Sequence, residues 1–589
     1  MKQGVTPDQA RSELKLLFDR FRDAYPSQVN RNEFFGVMNW RANMTRESRD
    51  LLWILLGAVG FVLLIACANV ANLQLTRAAG RRKEVAIRMA LGAGRRRVIR
   101  QLLTEGVMLA LVSGFVGLLT VVWVLGAMLG LVPEGMIPRA SEITPDWHVL
   151  LFALGASLLT GVVSGLAPAL QTLRVDVIRN LKEGAGKTDA DVARGRLRSV
   201  LVVFEIALAL TLAVGAGLLL RTFANLRGVE KGFDARNTLT FEILPRGKNY
   251  DTVAKTNDLY NRALERFRSL PGVEIAALTN KLPLDRWFNL PYRLAGQSQW
   301  SGSVEYRLIS PDYFRVMNMV VRQGRPFNES DAAGAEPVLI VNEAFARRNF
   351  AKGGPLGQRL CVGCEYVGDP AMRLVVGVVN DTKQRNLIEA APSIVFIPTA
   401  QAVEGLRMNL QQAGFVLRAA GDPLALSAAV RSEMRQLDPA VPVRGLRSME
   451  QLVGRSVAPQ RFNMSLLGLL AALGLVLAAV GIYGVTAYGV SQRMHEIGLR
   501  MALGAQARDV MKMIVRQGMA LATIGVAIGL IASYALTRLL KTLLFGVSAT
   551  DPLTFTVIAL SLVIVALLAC WMPARRATKV DPLVALRHE

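Results

Sequence analysis

Seven stretches of this chain are each long and apolar enough to cross a bilayer, and short basic loops separate several of them. A helical crossing takes roughly 20 residues. The stretches lie near 51–75, 104–131, 147–170, 199–221, 463–490, 516–540 and 553–573, and their interiors are rich in Leu, Val, Ala and Gly. Such a chain reads as an α-helical polytopic membrane protein with about seven transmembrane helices. Gly114, Gly117, Gly525 and Gly529 fall inside these stretches, where small residues let helices approach closely. Hydrophobic residues make up 52% of the 589 residues and mean hydropathy is +0.33, high for a soluble protein.

The net charge is +24. A nucleic-acid binder can carry that charge, but here much of it sits in short loops between apolar runs, the pattern of the cytoplasmic side of a membrane. The expected partner is therefore the lipid bilayer, with no nucleic acid. The loop after the first stretch holds Arg77, Arg81, Arg82, Lys83, Arg88, Arg95, Arg96, Arg97 and Arg100 against Glu84 alone. The linker before the fourth stretch, the loop with Arg493, Arg500, Arg508 and Lys512, and the tail with Arg575, Arg576, Lys579 and Arg587 are basic too. Placing all four in the cytoplasm puts 132–146 and the long polar stretch 222–461 outside. Residues 1–50 then lie outside as well, although Met1 opens no signal peptide. Either that segment is translocated unaided or this sequence lacks an upstream span.

A repeat favours the missing span. Glu84-Val85-Ala86-Ile87-Arg88-Met89-Ala90-Leu91-Gly92-Ala93 returns as Glu496-Ile497-Gly498-Leu499-Arg500-Met501-Ala502-Leu503-Gly504-Ala505. Beyond it, Gly106 matches Gly518, Asp146 matches Asp551, Pro168 matches Pro573, and Asp176 matches Asp581. The unit is three spans with a charged loop after the first. A span and an exterior domain precede the second unit, so a complete first half needs the same pair. Residues 1–50 then read as the end of a first exterior domain. A helical pattern at 7–24 suits such a remnant, with Thr6 as cap, Pro7 in the first turn, and Ala10, Leu14, Leu17 and Phe18 on one face.

Within each motif the Glu and Arg stand four residues apart, acid first, the favourable order on one helix face. Gly92 and Gly504 fall where such a helix ends, since glycine accepts the left-handed terminal conformation. A single copy reads most simply as a solvated connector held by lipid headgroups. Two copies with this much identity point to a pair of partner-contact loops instead.

Other motifs carry less. Gly184-Ala185-Gly186-Lys187-Thr188 has Leu181 where a phosphate loop needs glycine, and no buried strand precedes it, so ATP hydrolysis is expected in another chain. Glu205 lies inside the fourth stretch, near its basic end; an acid there is a functional candidate, against pairing with an arginine or snorkelling to the interface. Cys361 and Cys364 form Cys-x-x-Cys in the exterior stretch, read as a structural disulfide or two free thiols rather than a redox or metal site. Cys67 and Cys570 lie in spans and read as packing residues. His148, His495 and His588 give no metal spacing, and the exterior stretch holds no histidine. No catalytic site, cofactor or metal is expected. That exterior stretch shows strand-like runs at Leu239–Leu244, Ile275–Leu278, Val338–Val341, Leu374–Val379, Ile394–Ile397 and Phe415–Leu417, and helical patterns at 254–269 and 424–437, an α+β domain.

The stretches Arg493–Ala505, Leu543–Leu553 and Pro573–Leu583, with Ser310–Phe314 and Val341–Ala344 in the exterior domain, resemble the MacB/FtsX-like permeases of ABC transporters. The likeness is to permeases that fuse two halves in one polypeptide. It implies a bacterial inner (plasma) membrane protein with two FtsX-like three-helix repeats and an α+β periplasmic domain. It divides the chain into 1–50, a remnant of the first periplasmic domain; 51–175, the first FtsX-like unit; and 176–198, a cytoplasmic linker. Then come 199–221, the leading helix of the second half; 222–461, the MacB-like periplasmic core domain; and 462–589, the second FtsX-like unit. The resemblance implies a cytoplasmic ABC ATPase dimer docked on loops carrying Glu84, Arg88, Gly92, Glu496, Arg500 and Gly504. A periplasmic adaptor or outer-membrane channel is a further expected partner. The implied function is a non-enzymatic permease subunit that exports a hydrophobic or peptide-like compound or a lipoprotein. The alternative is a signal-transmitting membrane protein regulating a periplasmic partner such as a cell-wall hydrolase.

Overall fold

The computed structural model describes residues 6–24, 37, 40–80, 95–131, 143–144, 146–172, 189–285, 288–350, 353–369 and 371–578. The chain divides into two compact units: Met44–Asn225 with Pro459–Glu589, and Met1–Asn43 with Leu226–Ala458.

The first unit is helical. Among the described residues its seven long helices, numbered here as spans in chain order, are Trp40–Gly80, Arg95–Leu131, Trp147–Thr172, Asp189–Arg227, Ala458–Gln492, Ala507–Leu536 and Pro552–Ala577. Six of them are long and apolar enough to cross a membrane. The third contributes a shorter apolar helix, Trp147–Val162, so among the described residues six helices are long and apolar enough, beside the about seven that the sequence suggests. The protein is a helical polytopic membrane protein; helices satisfy their own backbone hydrogen bonds, which lipid cannot do.

The fourth span is the post of this unit. In its most apolar window 67% of residues are buried, against 17% in the first span and 11% in the second. Ile206, Leu210, Val214 and Leu218 have no solvent exposure. The sixth span reaches the post through glycine. A Cβ on Gly525 would stand 2.7 Å from the Ile206 Cβ, and one on Gly529 would stand 2.9 Å from Leu210 Cδ2. Gly114 does the same against Ser157, at 3.3 Å from its Cβ, whereas no atom lies within 4 Å of that position on Gly117. The expected close approach therefore ends at Gly114.

Equivalent aspartates start the third helix of each repeat. The amide of Val149 donates to Asp146 Oδ1 at 2.8 Å, and the amide of Thr554 donates to Asp551 Oδ2 at 2.9 Å. Both caps satisfy an orphan amide of the first turn. Each carboxyl sits below the usual carboxylate range: Asp146 through the Val149 amide, Asp551 through the Thr554 hydroxyl and amide and then Arg221.

The second unit is built on one eleven-stranded sheet. Its strands are β1 (Thr238–Ile243), β2 (Val273–Thr279), β3 (Asn289–Leu294), β4 (Gly302–Ile309), β5 (Val321–Gly324), β6 (Val338–Asn342), β7 (Arg359–Val362), β8 (Arg373–Val379), β9 (Ile394–Pro398), β10 (Gly414–Ala419) and β11 (Val443–Ser448). The path runs β11-β1-β10-β2-β4-β3-β7-β8-β6-β9; β5 pairs with β8, and β4 also pairs with β9. Pairing is antiparallel except for β4 with β9 and β6 with β8. β6 and β9 are buried along their whole length, which is why they read as unbroken apolar runs. Helices Val253–Arg268 and Ser427–Leu437 cover the sheet, the first with Leu259, Tyr260, Ala263 and Phe267, the second with Val430 and Met434. Phe241, Phe267, Phe415 and Tyr260 meet there with ring centroids 5.3–5.6 Å apart.

All six expected strand runs are strands, and both helical patterns are helices. Strands β3, β4, β5, β7 and β11 are additions. The helix Pro7–Ala24 is capped reciprocally by Thr6 and Gln9, but Leu17, expected on its inner face, is exposed while Phe18 is buried.

Candidate functional site

The second copy of the repeated motif forms a short helix, Met494–Ala502, between the fifth and sixth spans. Gly504 ends it with φ +97°. The amide of Gly504 donates to Met501 O at 3.1 Å and that of Ala505 to Arg500 O at 2.9 Å, the paired bonds of a Schellman terminus. Arg500 Nη2 meets Glu496 Oε1 at 2.7 Å, both side chains about half exposed at 49% and 45%. The helix is moored on its inner side by Ile497, which packs with Val490, Val510, Ile514, Ala574 and Ala577. Arg493 Nη1 donates to Gln517 Oε1 at 3.2 Å, tying the turn to the sixth span.

The outer side is unusual for a solvated connector. Leu499 is 47% exposed and Leu503 79%, beside the Glu496–Arg500 pair. Apolar side chains standing out next to a charge pair form a surface suited to protein contact. Sequence reasoning singled out the charges and missed both leucines, although each belongs to the repeated motif. Glu84, Arg88 and Gly92 lie outside the described residues, as do Gly184–Thr188.

Glu205 is fully buried, on the face of the post turned to the first and fifth spans. It neither snorkels nor meets an arginine among the described residues. Asn72 Nδ2 donates to its Oε1 at 3.4 Å, and Gly481 of the fifth span packs against Oε2 so closely that a Cβ there would overlap it. Asn69 Nδ2 donates to Leu477 O at 2.9 Å beside them. Arg198 Nη2 donates to Leu75 O at 2.7 Å, and the guanidinium lies 4.1 Å from the Tyr488 ring centroid. The available signal for this cluster was Asn69 and Asn72, three apart on one face of an apolar helix.

At the other end of the post Arg221 pairs with Asp551, and Asn225 Nδ2 donates to Gly546 O at 2.9 Å. The amide of Phe545 reaches Thr222 Oγ1 at 3.4 Å. Thus the motif Leu543–Leu553 forms a loop fastened to the fourth span.

In the sheet unit a disulfide joins Cys361 and Cys364, with Cα atoms 5.6 Å apart. It links β7 to the first residue of the four-residue helix Cys364–Val367. Both cysteines are buried. Cys570 is buried in the seventh span, and Cys67 Sγ lies 3.4 Å from Thr160 Oγ1.

The model of the FtsX-like permease C-terminal family matches residues 56–177 and 468–582, and that of the MacB-like periplasmic core domain matches residues 149–437. The macrolide export ATP-binding/permease protein MacB of Chromobacterium violaceum is 27% identical over 286 residues, 48% of this chain and 43% of its own length. That of Hahella chejuensis is 22% identical over 408 residues, 67% of this chain and 58% of its own. The pyoverdine export ATP-binding/permease protein PvdT of Pseudomonas syringae is 24% identical over 277 residues, 46% of this chain and 41% of its own. The chain spans about half the length of the curated relatives it matches. Among solved structures, the periplasmic region of MacB from Actinobacillus actinomycetemcomitans aligns with 12% identity and a TM-score of 0.27, over 40% of this chain and 97% of that one.

Proposed function

Because the chain belongs to the FtsX-like permeases that carry a MacB-like periplasmic core domain, we propose that it is the permease of an ABC exporter driven by ATPase subunits in separate chains. ATP-driven closure of an ATPase dimer would be received at the two repeated loops and passed to the sheet domain. The cargo would be a hydrophobic or peptide-like compound or a lipoprotein. Relatives named for macrolide and pyoverdine export support that class.

The observation that carries the reading is the Met494–Ala502 helix. It is rigidly ended at Gly504, moored by Ile497, and offers Leu499, Leu503 and the Glu496–Arg500 pair outward. A lever that transmits force must be stiff at its root and adhesive at its tip, and this helix is both. Under this reading the basic loops face the cytoplasm and the sheet domain faces the periplasm, where a disulfide such as Cys361–Cys364 persists.

The test is copurification of the ATPase subunit with the wild-type chain and with the double variant Glu84→Lys, Glu496→Lys. Loss of the ATPase from the double variant is the expected result. Undiminished association overturns the docking role.

A further inference from the structure

Two buried acceptors, one on the first span and one on the fourth, are left without a donor. Among the described residues, Glu205 Oε2 and Asn72 Oδ1 have no hydrogen-bond partner, although Asn72 Nδ2 already donates to Glu205 Oε1. On its third side Glu205 meets Gly481, whose backbone packs onto Oε2. Asn69 Oδ1 lies beside the same glycine, and Ile65, Ile206, Ala209 and Ala478 of the three spans belong to one buried cluster.

A carboxylate in that setting has lost its water and gained one weak neutral donor, and burial of an unpaired charge is strongly unfavourable. The cation nearest in sequence on its own helix is Arg198, two turns earlier; its Nη2 donates to Leu75 O and its guanidinium lies over the Tyr488 ring, while its Nε is buried with no partner among the described residues. The first span presents Asn69 and Asn72, neither of which titrates. The fifth span presents Gly481, with Tyr488 further along beside Arg198. The sixth span meets the post with Gly525 and Gly529, against Ile206 and Leu210. No counter-charge for Glu205 stands on any of these faces among the described residues.

A neutral carboxyl resolves both orphans at once. A carboxylic acid and a carboxamide form a cyclic pair: the amide N–H donates to one carboxyl oxygen, and the carboxyl O–H donates to the amide oxygen. We propose that Glu205 is a proton-binding site, its Oε2 carrying the proton and donating it to Asn72 Oδ1, and that this proton exchanges with water when the first, fourth and fifth spans part. On release the O–H bond at Oε2 breaks, its electron pair stays on the carboxylate, and the proton passes to a water molecule. Packing of the three spans and occupancy by the proton are then linked, so acid favours the packed arrangement. This goes beyond the exporter reading and does not depend on which chain hydrolyses ATP.

The test uses the full chain in lipid nanodiscs and its Glu205→Gln variant. The difference infrared spectrum at neutral pH should show the carbonyl stretch of a protonated carboxylic acid in the wild type and its loss in the variant. Carboxylate bands in its place overturn the proposal. Linkage gives a second reading. A site that binds its proton more tightly when folded loses stability as pH rises above the ordinary carboxylate range. The wild-type unfolding midpoint should fall with rising pH more steeply than that of Glu205→Gln; equal slopes overturn the proposal. The amide of the variant supplies the same donor to Asn72, so a Glu205→Gln chain that fails to fold, where Glu205→Asp folds, also overturns it.

Discussion

At the scale of single residues, two side chains carry more than their size suggests. Asp551 accepts from the Thr554 amide at 2.9 Å and hydroxyl at 2.6 Å, and pairs with Arg221. Asp551→Ala removes a helix cap and leaves Arg221 without its acid, a loss of about 1–2 kcal/mol read as a lowered unfolding midpoint. The carboxyl is held below its ordinary range, first by the Thr554 hydroxyl. The unfolded chain therefore binds its proton at higher pH, and the stabilisation is present above the ordinary carboxylate range and lost as pH falls. Asp551→Asn should flatten the acid limb of the stability profile relative to wild type. Gly481 is the second such position. Gly481→Ala places a methyl on Glu205 Oε2 and should push the fifth span from the post, costing roughly 1–3 kcal/mol by overpacking. An unchanged midpoint would show that the post has slack there.

Elements show why some of the structure is legible in sequence and some is not. β6 and β9 are buried throughout and announce themselves as apolar runs. β4 does not, because Glu305 and Arg307 sit inside it, paired at 2.9 Å and almost without exposure. Gln384 accepts from the same guanidinium at 2.9 Å. Charges that are satisfied only in the folded sheet look, in sequence, like a loop. β3 is hidden by Pro291, which reads as a breaker. In the membrane unit, apolarity gives away each helix but not its partners: Gly525 is distinguishable from Gly117 only once Ile206 is beside it. The Met494–Ala502 helix belongs to the legible class, since Gly504 marks its end. Gly504→Ala would force a Cβ into φ +97° at a cost of about 1 kcal/mol. The same variant should weaken ATPase binding by blurring the end of the lever, a loss measurable by titration.

For the whole molecule, the repeat is the most informative feature, and it carries two copies of the motif that we propose as a contact loop. If each docks on one subunit of an ATPase dimer, their contributions multiply. A single reversal at Glu496 should weaken association about tenfold, or ~1.4 kcal/mol, and reversal at both copies about a hundredfold. A single variant as damaging as the double would mean that one copy does all the holding. Sequence alone supplied the membrane class and the sheet domain. It did not supply the Asn72–Glu205–Gly481 contact, because that site joins three helices far apart in the chain.

That distance also sets an order of events during synthesis. The fourth span enters the bilayer before the fifth exists, so Glu205 must first lie against lipid without Gly481 to cover it. Asn72, its donor in the finished fold, is made 133 residues earlier. A charged acid deep in a helix resists insertion by roughly 2.5–3.5 kcal/mol, and a neutral one held by an amide resists far less. The proton on Glu205 would thus serve the nascent chain before it serves the finished one.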